Sequence, residues 1–302
     1  MNAIKDHFSI KDLENLSGIK AHTIRIWEKR YRLLSPKRTN TNIRFYTLKS
    51  LQKLLNVASL YNHGYKISKI AKIPETEIPV LVREIASISN NKGHSLNDIK
   101  MAMMNFDQAL FYNAYNNLIS EKSFRDVFFE VFIPFLNDLG ILWQTDTISP
   151  AHEHFISNLI KQKIIANTEK LQQITPVYEE PVFVLFLPNN EVHEIGLLYI
   201  NYEIMLRGYK SIYLGQSVPM EGLQNIAMHY SKVIFISYFT IAPSANDLAS
   251  YIKNLNMCVN TNTQHPIWVL GSQTKNADIS LFKNVSRFSR LDDVVKKLQG
   301  QF

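Results

Sequence analysis

From residue 182 onward the chain alternates between strand-like and helix-like segments, and this feature restricts its fold more than any other. Short apolar segments with the composition of buried strands occupy residues 182–187, 211–214, 233–237 and 267–270. Segments with helical periodicity occupy residues 195–206, 222–230, 245–255 and 291–298. Such alternation is typical of a parallel sheet with helices on both faces. It predicts a doubly wound, flavodoxin-like (Rossmann) α/β domain over residues 180–302, completed by a short strand near 285–288.

The middle of the chain, residues 76–175, has the apolar periodicity of several amphipathic helices. Gly93, Ser120 and the stretch from Gly140 to Pro150 interrupt this periodicity. Amphipathic helices with short connections pack against one another in bundles. We therefore expect a small helical bundle before the α/β domain.

The net charge of +7 is concentrated at one end of the chain. Residues 1–73 contain 15 Lys and Arg residues against 4 Asp and Glu residues. The remaining residues contain 18 basic and 22 acidic residues, so they carry a small net negative charge. A basic end on a nearly neutral body indicates a nucleic-acid-binding domain at the N-terminus, although a basic run can also be a solvated face.

The cysteine content and the apolar runs exclude several classes of protein. Cys258 is the single cysteine, which excludes an internal disulfide framework and a zinc site built from several cysteines. The N-terminus has no apolar signal core, and no run of about 18 apolar residues occurs. We therefore expect a cytoplasmic protein without a membrane span.

The basic end has the pattern of a helix-turn-helix. Ser9 is a candidate N-cap of a first helix, Gly18 marks a tight turn, and a second helix fits residues 21–29. The second helix of this motif enters the major groove, and basic residues in the following wing contact phosphates. The candidate DNA-binding residues are His22, Thr23, Arg25, Arg30, Arg32, Lys37, Arg38, Arg44 and Tyr46.

The order of residues in this end resembles the MerR family of transcription regulators. The family's Leu/Ile-Arg-x-Trp/Tyr-Glu segment is matched at residues 24–28, and its Arg-x-Tyr wing at residues 44–46. The resemblance implies a winged helix-turn-helix over residues 1–75 that binds double-stranded promoter DNA as a dimer. The chain departs from the family pattern at Arg30-Tyr31-Arg32, where many members have a Gly-Leu turn.

One loop of the α/β domain is able to hold a metal. Between the first predicted strand and the first predicted helix it reads Glu191-Val192-His193-Glu194-Ile195-Gly196. In open α/β sheets, loops at the carboxyl ends of strands bind ligands. Glu191 is placed to hold one ring nitrogen of His193 while the other binds a metal. The alternative is a histidine that only forms hydrogen bonds within a surface loop.

The spacing of this motif resembles the cobalamin-binding Rossmann module. That module has an acidic-x-His-x-x-Gly motif, a serine near the end of a later strand and a Gly-Gly-like turn. The matching residues here are Glu191, His193, Gly196, Ser237 and Gly271-Ser272. The resemblance implies that His193 is the lower axial ligand of cobalt, in place of the cofactor's own dimethylbenzimidazole base. It also implies that the displaced tail lies beside the serine and glycine loops.

A second motif lies in the predicted helical bundle. Trp143 precedes Glu153-His154, which stand near the start of a helix opened by Ser149-Pro150. By itself such a pair is most often solvated surface, and a tryptophan is most often part of a core. Together with the His193 motif it resembles the helical cap of the CarH/LitR group of cobalamin-dependent MerR photoreceptors. The resemblance implies that Trp143, Glu153 and His154 lie by the upper face of adenosylcobalamin.

The chain departs from that group in two places. Gln144 follows Trp143, where some members have a histidine that binds cobalt after the adenosyl group is lost; His152 or His154 are alternatives for that role. The turn Gly271-Ser272 replaces Gly-Gly, and Ser237-Tyr238-Phe239 is bulkier than usual. The second departure predicts a narrower tail pocket or weaker cofactor binding.

The combined resemblance implies a DNA-binding repressor, not an enzyme, with adenosylcobalamin as its cofactor. In the group, adenosylcobalamin assembles DNA-binding oligomers in the dark and light disperses them, so we expect a homodimer or homotetramer controlled by light. One alternative is a MerR-type regulator that keeps the fold but senses without cobalamin. The other is a corrinoid protein for methyl transfer, which the MerR-like end argues against.

Overall fold

The computed structural model describes residues 7–39, 42–82, 92–144, 147–260, 264–279 and 282–300, without the side chains of 92–94, 140, 141, 143, 144 and 276. The chain divides into two compact units, Met1–Ile160 and Lys161–Phe302. The first contains the basic end and most of the helical middle, and the second contains the α/β domain. The domain boundaries expected from the sequence, 1–75, 76–175 and 180–302, remain predictions. Within the described ranges, no helix is long and apolar enough to cross a membrane.

The first unit begins with a helix-turn-helix and a small antiparallel sheet. Its elements are β1 (His7–Phe8), α1 (Ile10–Ser17), α2 (Ala21–Tyr31), β2 (Lys37–Arg38), β3 (Arg44–Thr47), α3 (Leu48–Asn62) and α4 (Ile67–Ile70). The predicted N-cap is confirmed, because Ser9 Oγ accepts the Asp12 N–H at 3.1 Å and Asp12 accepts the Ser9 N–H at 2.7 Å. The predicted turn is confirmed at Gly18, whose φ of 74° suits glycine. Strand β3 pairs with β1 on one side and with β2, in the wing hairpin, on the other.

A helical segment completes the first unit and extends into the second. Its elements are α5 (Lys92–Asn105), α6 (Gln108–Glu121), α7 (Phe124–Val127), a π-helical turn (Phe128–Phe132), α8 (Ile133–Gln144) and α9 (Pro150–Gln172). Gly93 is the second residue of α5, and the interruption predicted from Gly140 begins only after Gln144. Helix α5 ends at Asn105, and the chain turns at Phe106, whose φ of 53° is left-handed. The Phe106 ring stacks on His152, so tertiary packing holds the residue that follows the end of α5.

The second unit is a five-stranded parallel sheet with helices, as the sequence predicts. Its strands are β4 (Tyr178–Phe186), β5 (Tyr209–Gly215), β6 (Val233–Tyr238), β7 (Ile267–Leu270) and β8 (Val285–Arg287). Its helices are α10 (Ile195–Leu206), α11 (Met220–His229), α12 (Ala245–Val259) and α13 (Leu291–Gln299). All residues from Val182 to Leu187 are buried, which is the pattern of a strand with both faces covered.

The strand order β5-β4-β6-β7-β8 determines where a ligand can enter the sheet. Strand β4 has β5 on one side and β6 on the other, so the chain reverses its direction across the sheet at β4. A crevice forms at the carboxyl ends of the strands where the order reverses. The loop that carries His193 follows β4 and therefore lies at this crevice.

Candidate cofactor site and nucleic-acid interface

The imidazole of His193 is hydrogen-bonded to Glu191 through one ring nitrogen, and its side chain is partly exposed to solvent. Its Nδ1 lies 2.7 Å from Glu191 Oε1, and 47% of its side chain is exposed. A carboxylate accepts hydrogen bonds, so Nδ1 carries a proton, and in the neutral ring Nε2 presents the lone pair. This is the state of a histidine that is ready to bind a metal through Nε2.

The carboxylate of Glu191 is fully buried and enclosed by backbone N–H groups. Its Oε1 accepts the N–H groups of Val192 and His193, both at 3.0 Å. Its Oε2 accepts three consecutive N–H groups, from Thr240 at 2.8 Å, Ile241 at 2.7 Å and Ala242 at 3.1 Å. Burial raises the pKa of Glu191, but hydrogen bonds, chiefly from Ile241, Ala242 and His193, outweigh it and lower the pKa to about 2. The carboxylate is therefore ionised at neutral pH and ties the β4 loop to the β6 loop.

The loop after β7 is tied to the β6 loop in turn. Gly271 has a φ of 104°, and a Cβ at this position would lie 2.1 Å from the Phe239 carbonyl oxygen, so no other residue fits. Ser272 Oγ donates to the Thr240 carbonyl at 2.7 Å. The structure thus brings together the three loops that the sequence places on one rim of the sheet. The enclosure of Glu191 by residues 240–242 has no signal in the sequence.

Ser237 and Gly196 occupy the same part of the sheet. The Ser237 side chain is fully buried in β6, and its hydroxyl has no hydrogen-bond partner among the described residues. A buried hydroxyl without a partner is unfavourable and calls for an explanation, such as a ligand. Gly196 lies under the ring of Tyr238, because a Cβ on Gly196 would be 2.8 Å from Tyr238 Cε2. The bulky Tyr238 noted in the sequence therefore covers the glycine of the motif.

Glu194, beside His193, forms a second anchor that the sequence did not indicate. Its Oε1 accepts the Lys161 ammonium at 2.6 Å, and its Oε2 accepts the Tyr213 hydroxyl at 2.9 Å. Burial and the neighbouring Glu194 raise the pKa of Tyr213, so the phenol stays protonated and donates. These bonds fix the start of α10 immediately after His193. Lys161 and Tyr213 are 33 and 19 residues from Glu194 in sequence, so no motif or periodicity in the sequence indicates that they meet.

The candidate cap residues lie in a different environment. His154 is 73% exposed, Glu153 is 38% exposed, and His154 Nδ1 is 4.0 Å from Glu153 Oε2. The side chains of Trp143 and Gln144, at the end of α8, lie outside the described residues. His152 is fully buried, and its Nδ1 accepts the Ser149 N–H at 3.2 Å. Its burial argues against a role at an exposed cofactor face.

The candidate DNA-binding residues lie on α2 and the wing. Arg25, Arg30, Arg32, Lys37, Arg38 and Arg44 are exposed, as is His22, while Thr23 is partly exposed. Arg38 closes the wing turn by donating to the Asn42 side-chain oxygen at 2.7 Å. A basic surface that combines a recognition helix and a wing suits the DNA backbone and the major groove.

The prediction that Tyr46 contacts DNA is corrected by the structure. Its side chain is fully buried, and its hydroxyl donates to Glu28 Oε2 at 2.8 Å. Glu28 Oε1 lies 3.5 Å from Arg44 Nε. Burial and Glu28 raise the pKa of Tyr46, so it remains a donor. Tyr46 therefore does not reach DNA; it holds Glu28, which holds the wing residue Arg44.

Comparison with known proteins finds matches to two parts of the chain and to two relatives along most of its length. The model "MerR HTH family regulatory protein" matches residues 8–76, and the model "B12 binding domain" matches residues 95–166. The HTH-type transcriptional repressor CarH of Myxococcus xanthus is 26% identical over 276 residues, which cover 89% of this chain and 90% of that repressor. The repressor CarA of the same organism is 23% identical over 81% of each chain. The chain is a homologue of these two HTH-type transcriptional repressors.

A solved structure agrees with the fold of this CarH and CarA homologue. The monomethylamine corrinoid protein of Methanosarcina barkeri matches with a TM-score of 0.56 and 13% identity, over 69% of this chain and 99% of that protein. At this identity the likeness shows the fold alone, that of helices joined to a Rossmann-like sheet. The match at residues 8–76 confirms the expected MerR head, and the B12 binding match falls on the helical middle, where the sequence predicts the cap. The homologues support a regulator instead of an enzyme.

Proposed function

We propose that this chain is a transcriptional repressor whose self-association and binding to promoter DNA are controlled by adenosylcobalamin and light. The observation that carries the proposal is His193, oriented by the enclosed Glu191 carboxylate at the switch point of the sheet. Its setting is a chain with a MerR head and a B12 binding domain, homologous to two repressors.

The residues around His193 fit a corrinoid. His193 Nε2 would bind cobalt, and Glu191 would keep the ring in the metal-binding tautomer. Ser237 offers a buried hydroxyl to a tail group, and Gly271 lets the loops approach closely. Gly196 follows the loop that carries His193, and Ser272 lies in the loop after β7, next to Gly271. When bound, adenosylcobalamin supplies a cobalt–carbon bond that light breaks.

The cap residues Trp143, Glu153 and His154 would meet the opposite face of the cofactor. Glu153 and His154 are exposed, so the cofactor would order them when it binds. Glu153 accepts the Ser157 hydroxyl at 3.4 Å, but no backbone N–H groups of the described residues enclose it as they enclose Glu191, so we expect the upper face to form with ligand present.

Control of assembly follows from linkage. A ligand that binds one assembly and not another stabilises the first by its binding free energy. Loss of the ligand after illumination removes that stabilisation. On the DNA side, the exposed arginines and lysines of α2 and the wing would neutralise phosphates, so affinity should fall steeply with salt.

Two measurements test the proposal. The chain is loaded with adenosylcobalamin in the dark, and its absorbance and its size-exclusion volume are recorded before and after green light. We expect a bound corrin spectrum and a smaller species after illumination. Absence of bound corrinoid would exclude the cofactor, and an unchanged mass after photolysis would exclude the light control.

A cobalamin-independent regulator with the same fold is the second candidate. The observation in its favour is Tyr238, whose ring packs on Gly196 beside the candidate tail site. If this candidate is correct, His193→Ala leaves regulation of DNA binding unchanged. If the proposal above is correct, His193→Ala abolishes the response to adenosylcobalamin.

A further inference from the structure

Within the first unit, side-chain hydrogen bonds connect the residues of the MerR match to the helical segment that follows. Lys100 Nζ donates to the Leu16 carbonyl at 3.0 Å, and Asn15 Nδ2 donates to Thr147 Oγ1 at 3.0 Å. Asn97 Nδ2 donates to the Leu55 carbonyl at 3.4 Å. We call the first two bonds, with their four residues Asn15, Leu16, Lys100 and Thr147, the head latch.

The Lys100 bond acts on the turn of the helix-turn-helix. Leu16 lies in the last turn of α1, where carbonyl groups lack partners within the helix. A cation at a helix C-terminus satisfies such a carbonyl and interacts favourably with the helix dipole. Burial lowers the pKa of Lys100, with Asp138 opposing this effect. The ammonium is thus a partly buried anchor at the point where the chain turns from α1 into α2.

The end of α1 is bonded to the start of the recognition helix α2. Glu14, in α1, accepts the Ala21 N–H at 3.3 Å, and Ala21 is the first residue of α2. Lys20 lies 3.3 Å from the same carboxylate. A displacement of the end of α1 therefore moves the start of α2, where His22 and Arg25 are exposed.

The bond from Asn15 to Thr147 connects α1 to the segment between α8 and α9. Thr147 is fully buried, and its N–H donates to the Leu142 carbonyl at 2.9 Å. Helix α8 carries Trp143 at its end, and α9 carries Glu153 in its first turn. Thr147 is therefore hydrogen-bonded to the end of α8 and lies three residues before the start of α9, the two helix ends that bear the candidate cap residues.

We propose that the head latch is the element through which the state of the helical cap sets the position of the DNA recognition helix. The role of the cofactor in this device rests on the proposed function. The mechanical part, which is the restraint of the α1–α2 turn by Lys100 and Thr147, does not.

The first test needs no ligand. Amide hydrogen exchange of residues 10–31 is measured by mass spectrometry in the full chain. The double variant Lys100→Met with Asn15→Ala is compared with the matched control Lys170→Met with Asn116→Ala, whose residues are exposed. We expect exchange around the turn to rise about tenfold in the latch variant and not in the control. Exchange within about twofold of wild type would overturn the latch.

A milder variant guards against misfolding. Thr147→Val removes one hydroxyl and keeps the shape of the side chain, and it should raise exchange at the same amides by a smaller factor. Unchanged exchange at the turn in a folded Thr147→Val chain would overturn the Asn15 part of the latch.

The second test adds adenosylcobalamin in the dark and follows its binding by corrin absorbance. We expect wild type to change its exchange at residues 10–31 on binding, and the latch variant to bind equally but lose that change. If the variant keeps the change, the latch is not the transmitter. If wild type binds no corrinoid, the proposed function fails, and the ligand-free test alone decides the latch.

Discussion

The Glu191–His193 pair and the Glu153–His154 pair differ in almost every physical respect. Glu191 is fully buried and lies 2.7 Å from the His193 ring, whereas Glu153 is 38% exposed and lies 4.0 Å from His154. Five backbone N–H groups enclose Glu191. Both pairs contain a glutamate and a histidine, so the residue types alone do not orient the imidazole. The His193 ring is oriented because its carboxylate is buried and is itself held by backbone N–H groups.

The difference has a functional consequence. His193 has its tautomer and ring orientation set in the folded chain before a ligand arrives, so little ordering entropy opposes metal binding. Solvent competes for Glu153 and His154, so an ion pair between them contributes little. We infer a preorganised lower ligand and a cap pair that acquires its geometry from the cofactor.

The largest expected difference is in stability. Glu191→Ala removes a buried carboxylate and leaves the N–H groups of Thr240, Ile241 and Ala242 without their acceptor, so it should lower the free energy of unfolding by about 3–5 kcal/mol. Glu153→Ala should lower it by less than about 0.5 kcal/mol. Urea unfolding of the full chain followed by circular dichroism measures both. Equal losses would remove the distinction between the pairs.

The second test uses pH. The pKa of Glu191 is lowered from 4.5 to about 2, so its ionisation should contribute about 3 kcal/mol of stability above pH 4.5. That contribution decreases as the pH falls from 4.5 towards 2. The difference in unfolding free energy between wild type and Glu191→Gln should therefore be constant near neutral pH and shrink below 4.5. A difference that stays constant down to pH 2.5 would show that the carboxylate is not held in its charged form.

The fold was largely predictable, and the site only in part. The strands near 182–187 and 267–270 are continuous apolar runs, which local composition reveals, and the helix predicted at 195–206 matches α10. The Glu191–His193 pairing follows from a spacing of two residues. Its enclosure by Thr240, Ile241 and Ala242 could not be predicted, because backbone N–H groups belong to every sequence. The buried position of Tyr46 was missed for a related reason, since its partner Glu28 is distant in sequence.

A third test concerns the packing beside His193. Gly196→Ala places a methyl group against the Tyr238 ring and should cost about 1–3 kcal/mol of stability. The matched control is Gly222→Ala, where a Cβ meets nothing within 4 Å, and it should stabilise α11 by about 0.5–1 kcal/mol. Thermal unfolding of both variants gives the sign. A stabilising Gly196→Ala would mean that the Tyr238 ring is free to move away.

The smallest expected effects are those of the histidines on stability. His193→Ala removes one of several bonds to Glu191, and His154→Ala removes an exposed ring, so each should change the unfolding free energy by less than about 0.5 kcal/mol. These variants therefore suit ligand-binding experiments. A loss above about 2 kcal/mol for His193→Ala would make His193 a structural residue instead.

The most direct test of the account is a dark titration with adenosylcobalamin of wild type, His193→Ala and His154→Ala, read by corrin absorbance after gel filtration. The account predicts that wild type retains the corrinoid, that His193→Ala binds it at least about tenfold more weakly, and that His154→Ala stays closer to wild type. Equal retention by wild type and His193→Ala would contradict the assignment of His193 as the cobalt ligand.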